Sequence, residues 1–259
     1  MYKYKKKEET VDIIMPNYNK GSYIKEAIES VINQSYKNWK LFIIDDNSND
    51  SSKKEIKKFL KQKNIKIFFL KKNKGPAHCR NIGLKKSKSK FIAFLDSDDY
   101  WLKDKLKLQI NFMIKNNFHF TFTDYVPLLQ SKNSIKKLKT TSIENFFNFD
   151  KFIKNSSINT STMILEKKFI KNLNFKNVAL MEDYVFKCEL MKKSNIPFNK
   201  CPGASAIYRI IKKSRSSKKI LNIYNLWKLN KKYNKLKFLD NFISLFFISL
   251  NSIKKYGFK

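Results

Sequence analysis

Arginine is nearly absent from this chain. Only Arg80, Arg209 and Arg215 occur, although lysine and arginine together number 55 and the formal net charge is +34. Proteins that read nucleic acids draw on arginine for its planar, bidentate fork. Here lysine is scattered along the whole length and no arginine-rich stripe exists, so the charge reads as a composition bias and no nucleic acid is expected as partner. A basic surface still favours anionic substrates or an anionic membrane face. Where lysine has displaced arginine almost everywhere, each remaining arginine marks a place that needs a planar fork.

Glycine is also scarce, with five residues, and neither G-x-G-x-x-G nor G-x-x-x-x-G-K-[ST] is present. A glycine-rich phosphate cradle is thereby excluded, and a nucleotide would have to be held by carboxylates and a metal. The three cysteines, Cys79, Cys188 and Cys201, form no C-x-x-C and no zinc-ligand spacing, which fits a reducing cytoplasm. Residues 1–9 lack the apolar stretch of a signal peptide and are expected to be a flexible basic tail.

What is present begins with Phe91-Ile-Ala-Phe-Leu95, an unbroken apolar run that suits a strand buried on both faces of a parallel sheet. It runs into Asp96-Ser97-Asp98-Asp99. Three carboxylates this close repel one another unless a cation or a set of donors compensates them. Open α/β sheets place ligands at such strand ends, and hard carboxylate oxygens suit Mg²⁺ or Mn²⁺. An alternative is that Asp99 caps a following helix.

Three further apolar runs precede it, Val11–Met15, Trp39–Ile44 and Ile65–Leu70. The first exits into Pro16-Asn-Tyr-Asn19, the second into Asp45-Asp46-Asn-Ser-Asn-Asp50. Between the first two, Ile24, Ala27, Ile28, Val31 and Ile32 recur at helical spacing, with Ser22 placed to cap the helix. Residues 51–62 suit an exposed helix, and Gly75–Gly83 lead into a short one. Strands alternating with helices predict an α/β fold with a doubly wound, mostly parallel sheet. His119–Tyr125 and Ile158–Leu165 read as later strands, residues 126–143 as a lysine-rich hairpin or loop, and Glu182–Lys193 as a helix.

The ordered set Pro16-Asn-Tyr-Asn19, Asp45–Asp50, Asn73-Lys-Gly-Pro-Ala-His-Cys-Arg-Asn-Ile-Gly83 and Asp96–Asp99 resembles the family 2 glycosyltransferases. The likeness continues through Asn159-Thr-Ser-Thr-Met163, Glu182-Asp183, Tyr208-Arg209 and Ser214-Arg-Ser216. It covers roughly residues 10–217. The resemblance implies a GT-A fold, Rossmann-like, and an inverting transfer from a nucleotide-diphosphate sugar. Residues 10–101 would form the nucleotide-sugar half and 102–217 the acceptor half.

By the same resemblance, Pro16 and Tyr18 would lie against the nucleobase, and Asp46 would accept its imide N–H, which favours UDP. Asp96 and Ser97 would face the ribose side, and Asp98 would ligate a divalent metal, Mn²⁺ or Mg²⁺, bridging the phosphates. Arg80 would brace the donor loop or diphosphate, or else form a structural salt bridge to a clustered Asp. Asp183 would be the catalytic base, with Glu182, Tyr208 and Arg209 beside the acceptor. Glu182 also suits a plain partner of the helix dipole. Relatives often carry a His shortly after Tyr-Arg, where this chain has Ile210 and Ile211. The metal shell would therefore be short of a ligand.

Residues 218–259 change character. Ile220, Ile223, Tyr224 and Trp227 fall on one helical stripe that would dock the helix on the domain. Residues 238–253, rich in Phe, Leu and Ile and flanked by lysines, contain Asp240 and fall short of the ~20 residues that span a bilayer. They suit either an interfacial helix at the cytoplasmic face of a membrane or a core or dimer helix. The acceptor expected is a saccharide or lipid-linked saccharide of the cell surface. A nucleotidyltransferase and a basic nucleic-acid-binding protein are the rival readings, and neither uses both the acid clusters and the Glu182-Asp183 element.

Overall fold

The computed structural model describes residues 9–130, 135–141, 143–211 and 219–256. Residues 1–8 of the expected tail and the Ser214-Arg-Ser216 motif lie outside them. The first half runs β1 (Val11–Asn17), α1 (Ile24–Ile32), β2 (Trp39–Asp45), α2 (Ser52–Lys57), β3 (Ile65–Phe69), α3 (Pro76–Lys86) and β4 (Phe91–Phe94). These strands are parallel in the order β3-β2-β1-β4. Every residue of β1 and β4 is buried, as expected of mainly apolar central strands covered on both faces; the buried Asp12 of β1 is satisfied by Lys88 N–H and by Ser89 N–H and Oγ.

Register carries the acids to one edge. Asn17 ends β1 opposite Asp45 at the end of β2, and Asp96 follows β4 two residues after its end. The helices pack closely behind. A side chain at Gly83 in α3 would meet Ile14 Cγ2 at 2.4 Å, so only glycine lets α3 lie this near β1. Gly75, which precedes α3, has φ +86, a conformation that favours glycine.

The second half comprises β5 (Tyr100–Trp101), α4 (Lys105–Asn116), β6 (Phe120–Gln130), β7 (Ile135–Lys137), β8 (Phe146–Phe147), α5 (Phe149–Phe152), β9 (Ile164–Glu166), α6 (Glu182–Ser194), β10 (Phe198–Ile211), α7 (Lys219–Leu229) and α8 (Phe238–Tyr256). The sheet continues β4-β9-β6-β10-β5. Strand β9 is antiparallel to both β4 and β6, while β10 runs parallel to β6. Directions therefore mix beyond β4, and one sheet carries both halves.

Several local expectations are corrected. Pro16 lies inside β1, not in its exit loop, and α1 is preceded by Tyr23 with no side-chain cap, so Ser22 has no capping role. Helix α4 begins at Lys105 after Asp104, which removes Asp99 as its cap. The strand expected over Ile158–Leu165 is a 3₁₀ turn, Thr160–Thr162, followed by the short β9. Asn159 causes this, because its side chain accepts from the Ser161 N–H and offers the backbone a turn in place of a ladder. On α7 the stripe is also different. Leu226 and Leu229 are buried while Ile223 and Tyr224 are exposed.

Candidate active site

The acids that follow β2 are engaged with amide and hydroxyl donors. Asp45 Oδ1 accepts from Asn17 Nδ2 at 2.7 Å and from Ser48 Oγ at 2.6 Å, which ties the ends of β1 and β2 together. Asp46, 2 % exposed, accepts the Lys74 N–H on Oδ1 at 2.8 Å and the Gly75 N–H on Oδ2 at 2.7 Å. It thus pins the loop that opens α3, and the imide-binding role implied for it must share these oxygens. Tyr18 is 46 % exposed, and Pro16 is buried in β1.

After β4, the Asp96–Asp99 carboxylates diverge to three different partners. Asp96 Oδ1 accepts from Arg80 Nη2 at 2.7 Å. Asp98 pairs with Lys20 Nζ at 2.6 Å and stays partly open to solvent. Asp99 is buried, accepting from Ser161 Oγ at 2.6 Å and from the Arg209 N–H at 2.9 Å. Burial, then the neighbouring Asp98 and Asp96 charges, hold the Asp99 carboxyl well above the usual carboxylate range. Ser97 is buried. Two cations offset the repulsion at Asp96 and Asp98, and at Asp99 it is relieved by the raised carboxyl.

Arg80 is the hinge between the halves. Its Nη1 donates to Glu182 Oε1 at 2.8 Å while Nη2 holds Asp96, and it is 4 % exposed. Burial acts to lower its pKa, but Asp96 and Glu182 outweigh burial and raise it. The structural salt bridge is therefore what the geometry displays. Glu182 is 7 % exposed, so it does more than face a helix dipole from solvent.

Asp183, next in α6, accepts from Thr160 Oγ1 at 2.9 Å and Lys187 Nζ at 2.7 Å, both on Oδ2. Lys187 is almost wholly buried and also donates to the Ile158 carbonyl at 2.7 Å. Burial works to raise the Asp183 carboxyl, and Lys187, Arg80 and Thr160 overcome it and hold it below the usual range. The Thr160–Thr162 turn joins both sides of the site. Thr160 bonds Asp183, and the adjacent Ser161 bonds Asp99 and accepts the Asp96 N–H at 3.1 Å.

Arg209 completes the constellation from β10. Its Nη1 donates to the Asp98 carbonyl at 2.8 Å and its Nη2 to Glu26 Oε2 at 2.5 Å. Its guanidinium lies 4.7 Å from the Tyr23 ring centroid. Tyr208 lines a cleft of about 250 Å³ with Tyr125, Asn155, Asn159, Ile248 and Asn251. Ile211, at the position of the expected His, ends β10 opposite Gln130. His119 pairs with Glu166 at 2.6 Å, and His78 lines a separate groove with Lys85 and Lys171. The buried cysteines are unpaired, and burial pushes Cys188 up to about 12 and Cys201 up to about 11. Neither is an activated nucleophile.

Sequence reasoning missed Lys20, Lys187 and Thr160. Lys187 is legible as the i+4 partner of Asp183, and Thr160 belongs to the Asn159–Met163 motif. Nothing local marks Lys20.

Parallel strands ending in acids, an antiparallel link and an acid-led helix beyond it make this a GT-A glycosyltransferase fold. The chain matches the family model for glycosyl transferase family 2 over residues 12–173, and it belongs to that family. An uncharacterised glycosyltransferase of Haemophilus influenzae is 34% identical over 247 residues, covering 95% of this chain and 97% of the relative. The Escherichia coli enzyme WfgD, a UDP-Glc:α-D-GlcNAc-diphosphoundecaprenol β-1,3-glucosyltransferase, is 32% identical over 252 residues, covering 96% and 95%. Among solved structures, Staphylococcus aureus TarS residues 1–349 in complex with UDP-GlcNAc superposes with a TM-score of 0.73 at 19% identity, covering 95% of this chain and 73% of that one.

Proposed function

We propose that this glycosyltransferase moves a hexose from a UDP-sugar to a saccharide hydroxyl on a lipid-linked acceptor, with inversion, in cell-surface polysaccharide synthesis. The observation that carries the reading is the Thr160–Thr162 turn. Through adjacent residues it holds Asp183 on one side and the Asp96–Asp99 loop on the other. A base fixed relative to the donor loop is what a single displacement needs, because one carboxylate must meet the acceptor proton as the acceptor oxygen attacks the anomeric carbon.

Each group then has one task. Pro16 and Tyr18 take the base, Asp46 shares its acceptor capacity with the imide, and Asp96 and Ser97 lie toward the ribose. Asp183 Oδ2 is committed to Thr160 and Lys187, which leaves Oδ1 to accept the proton. Arg80 and Glu182 hold α6 and the donor loop in register, and Arg209 braces Asp98 and Asp99. The cleft beside Tyr208 and Asn159 offers amide, hydroxyl and aromatic groups, a lining suited to a sugar ring.

The metal expectation meets a mixed donor set. Among the described residues no cluster of three His, Cys, Asp or Glu could hold an ion. Asp98 nonetheless presents a hard oxygen that already attracts a cation, Lys20, at 2.6 Å. Asp98 is the residue that would hold a Mg²⁺ or Mn²⁺, exchanging Lys20 for the ion. When bound, the ion supplies a Lewis acid for the charge that develops on the departing diphosphate.

A UDP-leaving donor and a lipid-linked acceptor are supported by the WfgD likeness, and with such an acceptor the proposed site of work is the cytoplasmic face of a membrane. The deciding experiment is a panel of UDP-sugars with a GlcNAc-diphospholipid analogue, with UDP release followed with and without Mn²⁺. Acceptor-dependent UDP release supports the reading. Release of pyrophosphate instead would favour nucleotidyl transfer.

A further inference from the structure

Helix α8 turns polar side chains inward beside Leu245 and Ile248, which pack on the core. Its most buried side chains are polar, Asn241 at 1 % and Ser244 at 0 % exposure, whereas Phe238, Leu239, Phe242, Phe246, Phe247 and Leu250 face outward and are exposed. The inner face is held by a closed set of hydrogen bonds. Asn230 Nδ2 donates to Asn241 Oδ1 and to Ser244 Oγ, each at 3.0 Å, and Ser244 Oγ donates to the Ile153 carbonyl at 2.5 Å. Tyr184 Oη, from α6, donates to Asn230 Oδ1 at 2.7 Å. Bonds of this kind fix which side of the helix can face inward, so the apolar side is committed to facing out.

An outward row of four phenylalanines is an expensive surface to leave in water. Its rim is cationic. Lys235 and Lys237 precede α8 and Lys254 lies in its last turn, all exposed, and Asp240 is the one acid between Lys219 and Tyr256. Trp227 packs edge-on against Phe238 at 5.3 Å, adding an amphipathic ring at the margin, where interfacial aromatic residues sit. A two-fold dimer through this face would bring lysine rim against lysine rim, whereas an anionic surface complements it. No helix among the described residues is long and apolar enough to cross a membrane, and burying α8 in lipid would strand Asn241 and Ser244.

We infer that α8 lies in the plane of an anionic bilayer, with Phe238, Phe242, Phe246 and Leu250 among the acyl chains and the lysine rim on the headgroups. Only its purpose rests on the proposed function. Ile248, Asn251 and Ser252, on the opposite side of the same helix, line the cleft beside Asn159 and Tyr208. The cleft would therefore open about one helix diameter, ~10 Å, above the lipid, the level of a sugar carried on a membrane-embedded diphosphate.

The test uses the full chain and vesicles of phosphatidylethanolamine with phosphatidylglycerol, against vesicles of phosphatidylcholine alone. The wild type is expected to co-sediment with the phosphatidylglycerol vesicles. The double variant Phe242→Gln, Phe246→Gln should lose about tenfold or more in apparent affinity while its thermal midpoint holds. Lys235→Gln with Lys237→Gln should weaken binding at low salt and leave a salt-resistant remainder. Absence of wild-type binding, or equal binding by the phenylalanine variant, overturns the inference. So does a concentration-dependent dimer that the same variant abolishes, without vesicle binding. The readout needs no sugar transfer, so its failure and failure of the proposed function are separate results.

Discussion

Arg80 Nη1 lies 2.8 Å from Glu182 Oε1, across 102 positions of sequence, while Nη2 holds Asp96 at 2.7 Å. One buried cation therefore ties the exit of β4 to the start of α6, and with it the Asp96–Asp99 loop to the helix that carries Asp183. Removing it takes the cation away from buried Glu182 and from part-exposed Asp96 together. Arg80→Met is expected to cost about 3–5 kcal/mol, the range for breaking a buried pair from one side. Glu182→Gln keeps the Arg80–Asp96 pair and should cost less, about 1.5–3 kcal/mol for a hydrogen bond to a charged group. That exceeds the ~0.3–1 kcal/mol of an exposed dipole partner. Urea unfolding of both variants checks the order.

Lys187 sets the basicity of Asp183. The depressed carboxyl is ionised throughout the neutral range. Its contribution to stability is present above the unfolded value of about 3.9 and is lost as pH falls through the lower folded value. In Lys187→Met the ammonium is gone and burial, which raises the carboxyl, remains. The acid limb of the kcat/KM profile is therefore expected to move to higher pH than in the wild type. An unmoved limb in a folded variant would mean that another group controls it.

Asp98 is the metal-facing carboxylate of the proposal, and its ion pair with Lys20 is partly exposed. Such a pair is worth roughly 0–1 kcal/mol, so Asp98→Asn should fold normally. UDP binding measured calorimetrically should then lose its enhancement by Mn²⁺. In the wild type, Mn²⁺ alone should bind much more weakly than Mn²⁺ with UDP, because Asp98 stands alone among protein ligands.

The first half of the fold was legible because its central strands are buried on both faces and write themselves as apolar runs. Their acidic ends were legible for the opposite reason, since packing has no use for them. What escaped was long-range pairing. Arg80 with Glu182, Arg209 with Glu26 and Ser161 with Asp99 are each between residues far apart in the chain, and no periodicity encodes them. The Thr160–Thr162 turn was mistaken for strand because β-branched residues hide the side-chain bond of Asn159. On α7 the inward face is carried by Leu226 and Leu229, while Ile223 and Tyr224 are exposed, so several apolar residues on one short helix left its inward side undecided by pattern alone.

The central claim, that Asp183 is the base, is tested most directly by Asp183→Asn. The substitution removes the counter-charge of buried Lys187, so it is best made both alone and with Lys187→Met, with circular dichroism as the folding control. UDP-sugar affinity should stay near that of the wild type, since the proposed donor contacts are Asp46, Asp96 and Asp98. Transfer to acceptor should fall by about 10²–10⁴-fold, the usual range for a general base. A folded Asp183→Asn protein that transfers sugar at a rate near the wild type would contradict the account and place the base on another residue.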